Sequence, residues 1–254
     1  MCKWRNCFTT LYRRTDCSHD NRIPSSSRGI LVGKKLSCRK FVREIVENMN
    51  DITVAILAGG SSKRFGSDKA LAEFQGKPLI LHMLDIAKRI SSTILVVVSD
   101  EEQGNRLDPY VKNAKIVIDP EGEPKCALTG ALTAFEHTET THVILLPVDT
   151  PLAEPELLKM LIRLSPGHGA VIPSWPSGYI EPLHSVYHAE HAYALGLDIM
   201  EQGLRRMSDL LDRIQHVLYV STETLNQFDP DLDTFVNFNT LKELKDAERK
   251  RTRR

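Results

Sequence analysis

The segment 54–71, with the sequence VAILAGGSSKRFGSDKAL, limits what this chain can fold into more than any other stretch. It begins inside an apolar run, Ile52–Leu57, whose length and β-branched residues are typical of a strand buried on both faces. Gly59 and Gly60 end the run, and a third glycine comes at Gly66. The segment therefore predicts a buried strand that leads directly into a glycine-rich loop.

This loop combines backbone freedom with positive charge. Glycine lets backbone N–H groups approach a ligand closely, and consecutive N–H groups can form a concave anion site. Arg64 adds a planar fork of donors, and Lys69 adds a compact charge. The spacing is neither that of the P-loop nor that of the G-x-G-x-x-G loop, and an ordinary turn with solvated cations is the alternative. We interpret the loop as a binding site for a nucleoside triphosphate.

Downstream of the loop, apolar runs typical of strands alternate with amphipathic stretches typical of helices. This alternation indicates one α/β domain with a mixed, mostly parallel sheet covered on both faces. The predicted strands after the first are 93–98, 115–118, 142–146, 170–173, 183–187, 217–220 and a strand end at 235–239. The predicted helices are 78–90, 127–135, 154–164, 193–200, 207–213 and a terminal helix from residue 240.

Two aspartates come directly after predicted strands and extend the candidate site. Ligands of open α/β sheets bind outside the carboxyl ends of the strands, where the Gly59 loop, Asp119 and Asp149 all fall. A carboxylate at the end of a buried strand is well placed to hold Mg²⁺ against phosphates. The alternatives are a helix cap or a local turn for Asp149 and an Asp-Pro turn for Asp119.

Charge and cysteine usage limit the class of protein. Eleven of the 33 Lys and Arg residues and four of the 33 Asp and Glu residues precede Met49, which leaves 22 basic and 29 acidic residues for the rest. An acidic main domain argues against a nucleic-acid partner. No apolar run approaches the 18 residues of a membrane span. Four of the five cysteines lie in the first forty residues without zinc-site spacing, so we expect a cytoplasmic, reducing setting.

The first 48 residues differ in composition from the rest of the chain. They lack steady hydrophobic periodicity and contain the stretch PSSSRG at 24–29, so we expect mostly disorder there. The change at this point motivates the hypothesis that Met49 is the natural start, which mass spectrometry of the native N-terminus would test. The predicted domain then covers 49–247, and 248–254 form a basic tail.

The motifs together resemble a known family. The string LAGG-x-S-x-R-F-G-x-D-K-A-L resembles the signature loop of Rossmann-like nucleotidyltransferases. The ending DKAL and the adjoining GKPL at 76–79 are most similar to the molybdenum cofactor guanylyltransferases, and PVDTPL at 147–152 is similar to that family's strand-end motif. The resemblance spans residues 52–244. It implies an α/β, Rossmann-like three-layer domain with a mostly parallel mixed sheet.

The resemblance also implies an activity and a set of residues. The family transfers GMP from GTP to the phosphate of molybdopterin with Mg²⁺ and releases pyrophosphate, so GTP, molybdopterin and an apo-molybdoenzyme or maturation partner are the expected partners, without nucleic acid or membrane. Catalytic roles fall on Arg64, Lys69 and Asp149, and Asp149 is the metal ligand. Binding roles fall on Leu57, Ala58, Gly59, Gly60, Lys69, Ser99, Asp119 and Asp149 toward the nucleotide, and on Asn237 and Asn239 toward the pterin.

Some positions depart from the family pattern and keep alternatives open. Ser99 stands where related enzymes have asparagine, and in CALTG at 126–130 only Leu128 and Gly130 match a Gly-Pro-Leu-x-Gly loop. His184 comes after a Pro-Leu pair that resembles the pterin-side segment, but a core or surface histidine is the simpler interpretation. The alternatives for function are a transferase that uses CTP or another small phosphorylated acceptor, a nucleotide-binding adapter without turnover, and a pterin carrier.

Overall fold

The structure, a computed structural model, describes residues 52–59 and 68–252, with side chains up to Arg249. The predictions for residues 1–51, Gly60 and Arg64 lie outside the described residues. The strands are β1 (Ile52–Leu57), β2 (Glu73–Phe74), β3 (Lys77–Pro78), β4 (Thr93–Val98), β5 (Lys115–Ile118), β6 (His142–Pro147), β7 (Ala170–Ser174), β8 (Val186–His188) and β9 (Val217–Ser221). The helices are α1 (Leu79–Lys88), α2 (Glu101–Leu107), α3 (Ala127–Glu136), α4 (Pro155–Arg163), α5 (Ala189–Glu201), α6 (Met207–Leu211), α7 (Thr222–Leu225) and α8 (Leu241–Thr252).

Strand β1 lies in the middle of the parallel part of the sheet, paired with β4 on one side and β6 on the other. Within residues 52–59 and 68–252, the main sheet has seven strands in the order β5-β4-β1-β6-β8-β7-β9. Strand β8 runs antiparallel to both of its neighbours, and the other pairs are parallel. The predicted mostly parallel mixed sheet is confirmed.

Both faces of the sheet are covered by helices, which makes three layers. Because successive strand residues point to opposite faces, β1 contributes to two separate cores. Val54 belongs to a core that includes Leu157 of α4 and Leu244 of α8. Ala55 belongs to a second core that includes Leu128 of α3 and Ile199 of α5. The apolar, two-sided character of β1 in the sequence is therefore explained by burial on both faces.

A tight hairpin connects β2 and β3, which pair in antiparallel orientation. Gln75 and Gly76, between the two strands, both have positive φ angles, of 52° and 72°. A two-residue turn of this kind needs left-handed backbone at both positions, which glycine adopts without steric cost. The GKPL motif at 76–79 therefore contains the second turn residue, strand β3 and the first residue of α1.

Two predicted strands differ from the structure, and one helix was not predicted. Residues 235–239 were expected to end a strand, but Asp233–Phe235 form a 3-10 helix and the chain then continues without a strand partner in the described part. The two phenylalanines, Phe235 and Phe238, are buried for another reason, whereas Val236 is exposed. Phe238 stacks on Phe74, with 5.6 Å between ring centroids. Helix α2 was not predicted because it is mostly polar. The strand predicted at 183–187 is only Val186–His188.

The end of the described chain is helical. Helix α8 runs to Thr252 and so crosses the boundary predicted at residue 247. Leu244 anchors its first turns in the core with 1% exposure. No helix in the described ranges is both long and apolar enough to span a membrane.

The packing at Gly169 generates a stability prediction. A Cβ atom at Gly169 would lie 2.3 Å from the carbonyl oxygen of Gln215 and 2.7 Å from Cγ2 of Ile214. Because a backbone atom must move, we expect Gly169→Ala to lower the free energy of unfolding by about 1–3 kcal/mol. Urea unfolding of the purified protein measures this change.

Gly104→Ala is the matched control. Gly104 lies inside α2, and a Cβ there would meet Cγ2 of Ile116 and Cγ2 of Val98 at ordinary contact distances of 3.6 and 3.7 Å. Alanine should raise the free energy of unfolding by about 0.5–1 kcal/mol through helix propensity. Equal effects of the two substitutions would contradict the close approach at Gly169.

Candidate active site

A cleft of about 330 Å³ opens at the carboxyl ends of the central parallel strands. Strand β1 contributes Leu57, Ala58 and Gly59 to its wall, and the ends of β5 and β6 contribute Asp119 and Asp149. The predicted convergence of the Gly59 loop with both aspartates is therefore what the structure shows. It results from the register, because Leu57 is level with Val97 of β4 and Pro147 of β6.

Three predicted site residues meet on one side of the cleft. Lys69 Nζ donates to Asp149 Oδ2 in an ion pair, and it also lies 3.3 Å from Asn239 Oδ1. The side chains of Lys69 and Asp149 are 21% and 14% exposed, so the ion pair is only partly hydrated. Lys69 thus contacts one residue that is 80 positions away in the sequence and another that is 170 positions away. No local sequence pattern specifies such contacts.

Each member of this cluster is held by local structure. Lys69 is the first residue of a 3-10 helix, whose N-cap Asp68 accepts a hydrogen bond from the Ala70 N–H at 3.1 Å. The Asp149 carbonyl accepts a hydrogen bond from the Phe238 N–H at 3.0 Å, which ties the end of β6 to the segment before α8.

The start of α8 positions Asn239. Thr240 Oγ1 accepts from the Glu243 N–H at 3.2 Å, and the Glu243 carboxylate accepts from the Asn239 N–H at 2.6 Å. The arrangement differs from a capping box, because the Glu243 carboxylate accepts from the N–H of Asn239 and not from that of Thr240, the residue directly before α8. Asn237 lies two residues before Asn239 and is exposed.

The Asp149 carboxylate is not used to build the neighbouring helix. Helix α4 is capped by Glu154, whose side chain accepts from the Glu156 N–H, and the local turn is closed by the Thr150 hydroxyl, which donates to the Pro147 carbonyl at 2.9 Å. Asp149 Oδ1 is buried and has no hydrogen-bond partner among the residues that the structure describes. A buried carboxylate oxygen without a partner costs free energy unless a ligand satisfies it, so the cap and turn interpretations of Asp149 are not supported.

The donor set fits a hard divalent cation. Mg²⁺ binds through one or two carboxylates together with phosphate oxygens and waters. The described residues contain no cluster of three or more His, Cys, Asp or Glu side chains that could hold a metal alone. A cation at Asp149 would therefore depend on a phosphate-bearing ligand for its remaining oxygens.

Asp119 and Ser99 lie at the other side of the cleft, where a smaller cavity of about 210 Å³ adjoins it. The Thr133 hydroxyl donates to Asp119 Oδ1 at 2.7 Å. Burial raises the pKa of the Asp119 carboxyl, while the Thr133 hydrogen bond and the charge of Lys125 oppose this rise. Lys125 lines both cavities and pairs with Asp100 at 2.9 Å.

Because Gly59 has no side chain, Ser99 and Asp119 can lie close to its backbone. A Cβ there would lie 3.0 Å from Ser99 Oγ and 3.4 Å from Asp119 Oδ2. Its N–H donates to the Val97 carbonyl at 3.1 Å, and the Ala58 N–H donates to the same oxygen at 2.9 Å. These two amides continue the hydrogen bonding of the sheet, and the binding role expected of Gly59 stays a prediction. The glycine is needed for close packing.

Two residues that line the cleft, Gln103 and Lys125, were not predicted. Cys126 and Leu183 also line it, and they belong to the CALTG and Pro-Leu segments that the sequence singles out. The spacing D-x-x-Q at 100–103 is a helix-start signal that identifies Gln103, because Asp100 caps α2 by accepting from the Gln103 N–H at 2.9 Å. Cys126 stands at the start of α3, with its Sγ 3.3 Å from Thr129 Oγ1.

His184 is a core residue. It is 1% exposed, and burial lowers its pKa to about 3. Within the described part of the chain, its two ring nitrogens have no hydrogen-bond partner. Its ring lies edge-on to Phe235, with 5.4 Å between centroids, and its Nδ1 is 3.9 Å from Glu181 Oε2. A neutral buried imidazole supports the core interpretation.

A mostly parallel sheet with this cleft at its carboxyl edge defines a Rossmann-like nucleotidyltransferase. The sequence model of the MobA-like NTP transferase domain matches residues 54–217, and the chain belongs to this family. Its expected fold and its membership of the molybdenum cofactor guanylyltransferase group are thereby confirmed.

Two relatives and one solved structure illustrate the similarity. Proteins named probable molybdenum cofactor guanylyltransferase from Pyrococcus horikoshii and Methanosarcina mazei are 34% and 29% identical to this chain, over 68% and 74% of its length and 88% and 86% of theirs. The crystal structure of molybdopterin-guanine dinucleotide biosynthesis protein A from Archaeoglobus fulgidus aligns with a TM-score of 0.69 and 29% identity, covering 80% of this chain and 100% of that one.

The unpartnered oxygen of Asp149 generates a prediction about metal. Asp149→Asn keeps the size of the side chain but removes the charge that attracts a cation and pairs with Lys69. We expect Mg²⁺-dependent nucleotide affinity, measured by calorimetric titration, to fall about 100-fold, by analogy with losses at metal sites.

Asp198→Asn, on the exposed side of α5, is the control and should leave the affinity unchanged. Circular dichroism should show that both variants are folded. Wild-type affinity in a folded Asp149→Asn protein would remove Asp149 from the metal site.

Proposed function

We propose that this chain transfers GMP from GTP to the phosphate of molybdopterin and releases pyrophosphate. The observation that carries the proposal is the cluster of Lys69, Asp149 and Asn239 at the carboxyl edge of a MobA-like NTP transferase fold. The names of the relatives supply the guanylyl donor and the molybdenum cofactor acceptor.

Two anions must meet for this reaction, so charge neutralisation is the first requirement. Asp149, with Oδ1 buried and unpartnered, would hold Mg²⁺, which when bound neutralises charge on the phosphate oxygens. Asp149 also keeps the Lys69 ammonium inside the cleft before a nucleotide arrives. Phosphates and a metal bound there would take over both partners, and Lys69 would then bind the triphosphate. Arg64 remains a predicted second cation.

Positioning supplies most of the remaining catalysis. Asn239 contacts the same Lys69 ammonium from the α8 side, which supports an acceptor site between the cation and the segment 237–239. Asn237 remains a predicted acceptor contact. No general base is required, because the attacking phosphate monoester is ionised near neutral pH, with a second pKa of about 6.

The base side of the cleft favours guanine. The Asp119 carboxylate accepts hydrogen bonds but does not donate them when it is ionised. Guanine presents adjacent N1–H and N2–H donors, whereas cytosine places an acceptor nitrogen beside its amino group. A carboxylate held by Thr133 therefore supports GTP over CTP.

Ser99 and Leu57 remain predicted nucleotide contacts. A cytoplasmic location remains a prediction from the cysteine pattern.

The direct test uses the full chain with GTP or CTP, Mg²⁺ and molybdopterin, and monitors pyrophosphate release. We expect release with GTP and at least tenfold slower release with CTP. Omission of Mg²⁺ should abolish turnover. Faster reaction with CTP would reassign the base, and pterin binding without nucleotide or metal in an inactive protein would indicate a carrier.

The environment of Asp119 generates a pH prediction. Because its pKa is raised above 3.8 by burial, GTP affinity should fall as the pH drops through that raised pKa and the carboxylate gains a proton. Thr133→Val removes a hydrogen bond that stabilises the ionised form. The variant should therefore lose GTP affinity at a higher pH than the wild type, in titrations at several pH values.

The control is Thr138→Val, at the end of α3, whose hydroxyl donates to the Ala134 carbonyl and lies outside the cleft. It should keep the wild-type pH dependence. An unshifted profile in the folded Thr133→Val protein would contradict the role given to Asp119.

A further inference from the structure

The side chain of Gln103 joins three separate parts of the chain at the rim of the cleft. Its Nε2 donates to the Ala58 carbonyl at 3.0 Å and to Asp68 Oδ1 at 3.1 Å. Its Oε1 accepts from the Ser99 N–H at 2.8 Å. With 6% exposure, the amide is buried and uses both of its ends. A buried polar side chain with this many partners specifies one arrangement of the groups around it.

Two of these partners lie on either side of the glycine loop. Ala58 comes directly after β1, and Asp68 precedes Lys69, with the residues of the loop between them. One buried amide therefore connects Ala58, the residue after β1, to Asp68, the residue before Lys69.

Both carboxylate oxygens of Asp68 accept hydrogen bonds from other residues. Besides Gln103 Nε2, its Oδ1 accepts from the Ala70 N–H, and its Oδ2 lies 3.3 Å from Arg106 Nη2. Gln103 and Arg106 are three residues apart on α2 and so share one face of that helix. The Asp68 side chain is 5% exposed, whereas that of Arg106 is 42% exposed.

The next residue after Asp68 carries the cation of the site. Fixing Asp68 as the N-cap of the 3-10 helix fixes where Lys69 begins, and Lys69 reaches Asp149 from there. A continuous series of contacts thus runs from α2 through Asp68 and Lys69 to the end of β6.

We propose that Gln103 is a positioning residue. It holds Ala58 and Asp68, the residues at the two ends of the glycine loop, together and thereby sets the affinity for the nucleoside triphosphate. The inference rests on the proposed function, because that function supplies the ligand. Gln103 acts through Asp68 and Lys69.

The chemistry of the position explains why an amide serves there. Ala58 and Asp68 offer acceptors, whereas Ser99 offers a donor, so the side chain must both donate and accept. Methionine has similar length but makes none of these hydrogen bonds. An ionised glutamate accepts from Ser99 but faces the Ala58 carbonyl and the Asp68 carboxylate with its other oxygen. A protonated glutamate regains one O–H donor for the Ala58 carbonyl or the Asp68 carboxylate.

The first experiment compares Gln103→Met with Asn105→Met, an equal polar-to-methionine change on the exposed side of the same helix. Steady-state kinetics of the full chain should show the KM for GTP raised about 10-fold in Gln103→Met, a loss typical of supporting contacts. The KM for the pterin acceptor should stay within about twofold, and Asn105→Met should change neither value. A general loss of structure would lower kcat and stability without separating the two substrates.

The second experiment uses Gln103→Glu and the pH dependence of GTP affinity. Among residues 52–59 and 68–252, the charged groups that contact Gln103 or its partners are Asp68 before the 3-10 helix, Arg106 on α2, and Asp100 with its partner Lys125. Burial and the Asp68 charge should raise the pKa of the glutamate. GTP affinity relative to the wild type should therefore improve as the pH falls in Gln103→Glu and stay level in Gln103→Met.

The outcomes separate this inference from the function on which it rests. A wild-type protein that neither binds nor uses GTP would overturn both. A wild-type protein that uses GTP, with a folded Gln103→Met variant of normal KM or with parallel pH profiles of the two variants, would overturn the positioning role alone. If Gln103→Met does not fold, Arg106→Met, which removes a more exposed contact to Asp68, should raise the KM for GTP in the same direction; an unchanged KM would overturn the role.

Discussion

The pairing of β1 with a parallel strand on each side is the constraint on which the rest of the structure depends. It makes β1 part of two cores, because its alternate side chains face the helices of opposite layers. It also brings the ends of β1, β4 and β6 to the same edge of the sheet. The site is built at that edge because the peptide groups within the strands are already hydrogen-bonded to each other, whereas the residues just beyond the strands are free to turn toward a ligand.

At that edge, the polar groups divide into those that complete the fold and those left for a ligand. The Ala58 and Gly59 amides and the Asp68 carboxylate are used by the protein itself. Asp149 Oδ1 is buried, and no described residue is its hydrogen-bond partner. Under the proposed function, this division allows a domain rich in acidic residues to bind an anionic substrate. The Lys69 cation and the carboxylate that we propose for the metal lie where partial burial strengthens their charge interactions.

The second layer of the site comes from elements whose sequences give little sign of function. Helix α2 supplies Gln103 and Arg106, and the Glu243 carboxylate at the start of α8 holds the backbone N–H of Asn239. The side chains that contact each other here are far apart in the chain. Their precision comes from buried hydrogen bonds, which cost free energy when they are broken or badly aligned.

The sequence by itself determined the layered α/β class, because continuous apolar runs alternating with amphipathic stretches can be buried only in that way. It also located Asp119 and Asp149, since both come directly after such runs. Only the tertiary structure decided that Lys69 meets Asp149 and Asn239, that the Gly59 amide belongs to the sheet, that residues 235–239 are no strand, and that Gln103 joins Ala58 to Asp68. The physical reason is that periodicity records which face of an element is buried, whereas a hydrogen bond between distant residues depends on where separate elements are packed.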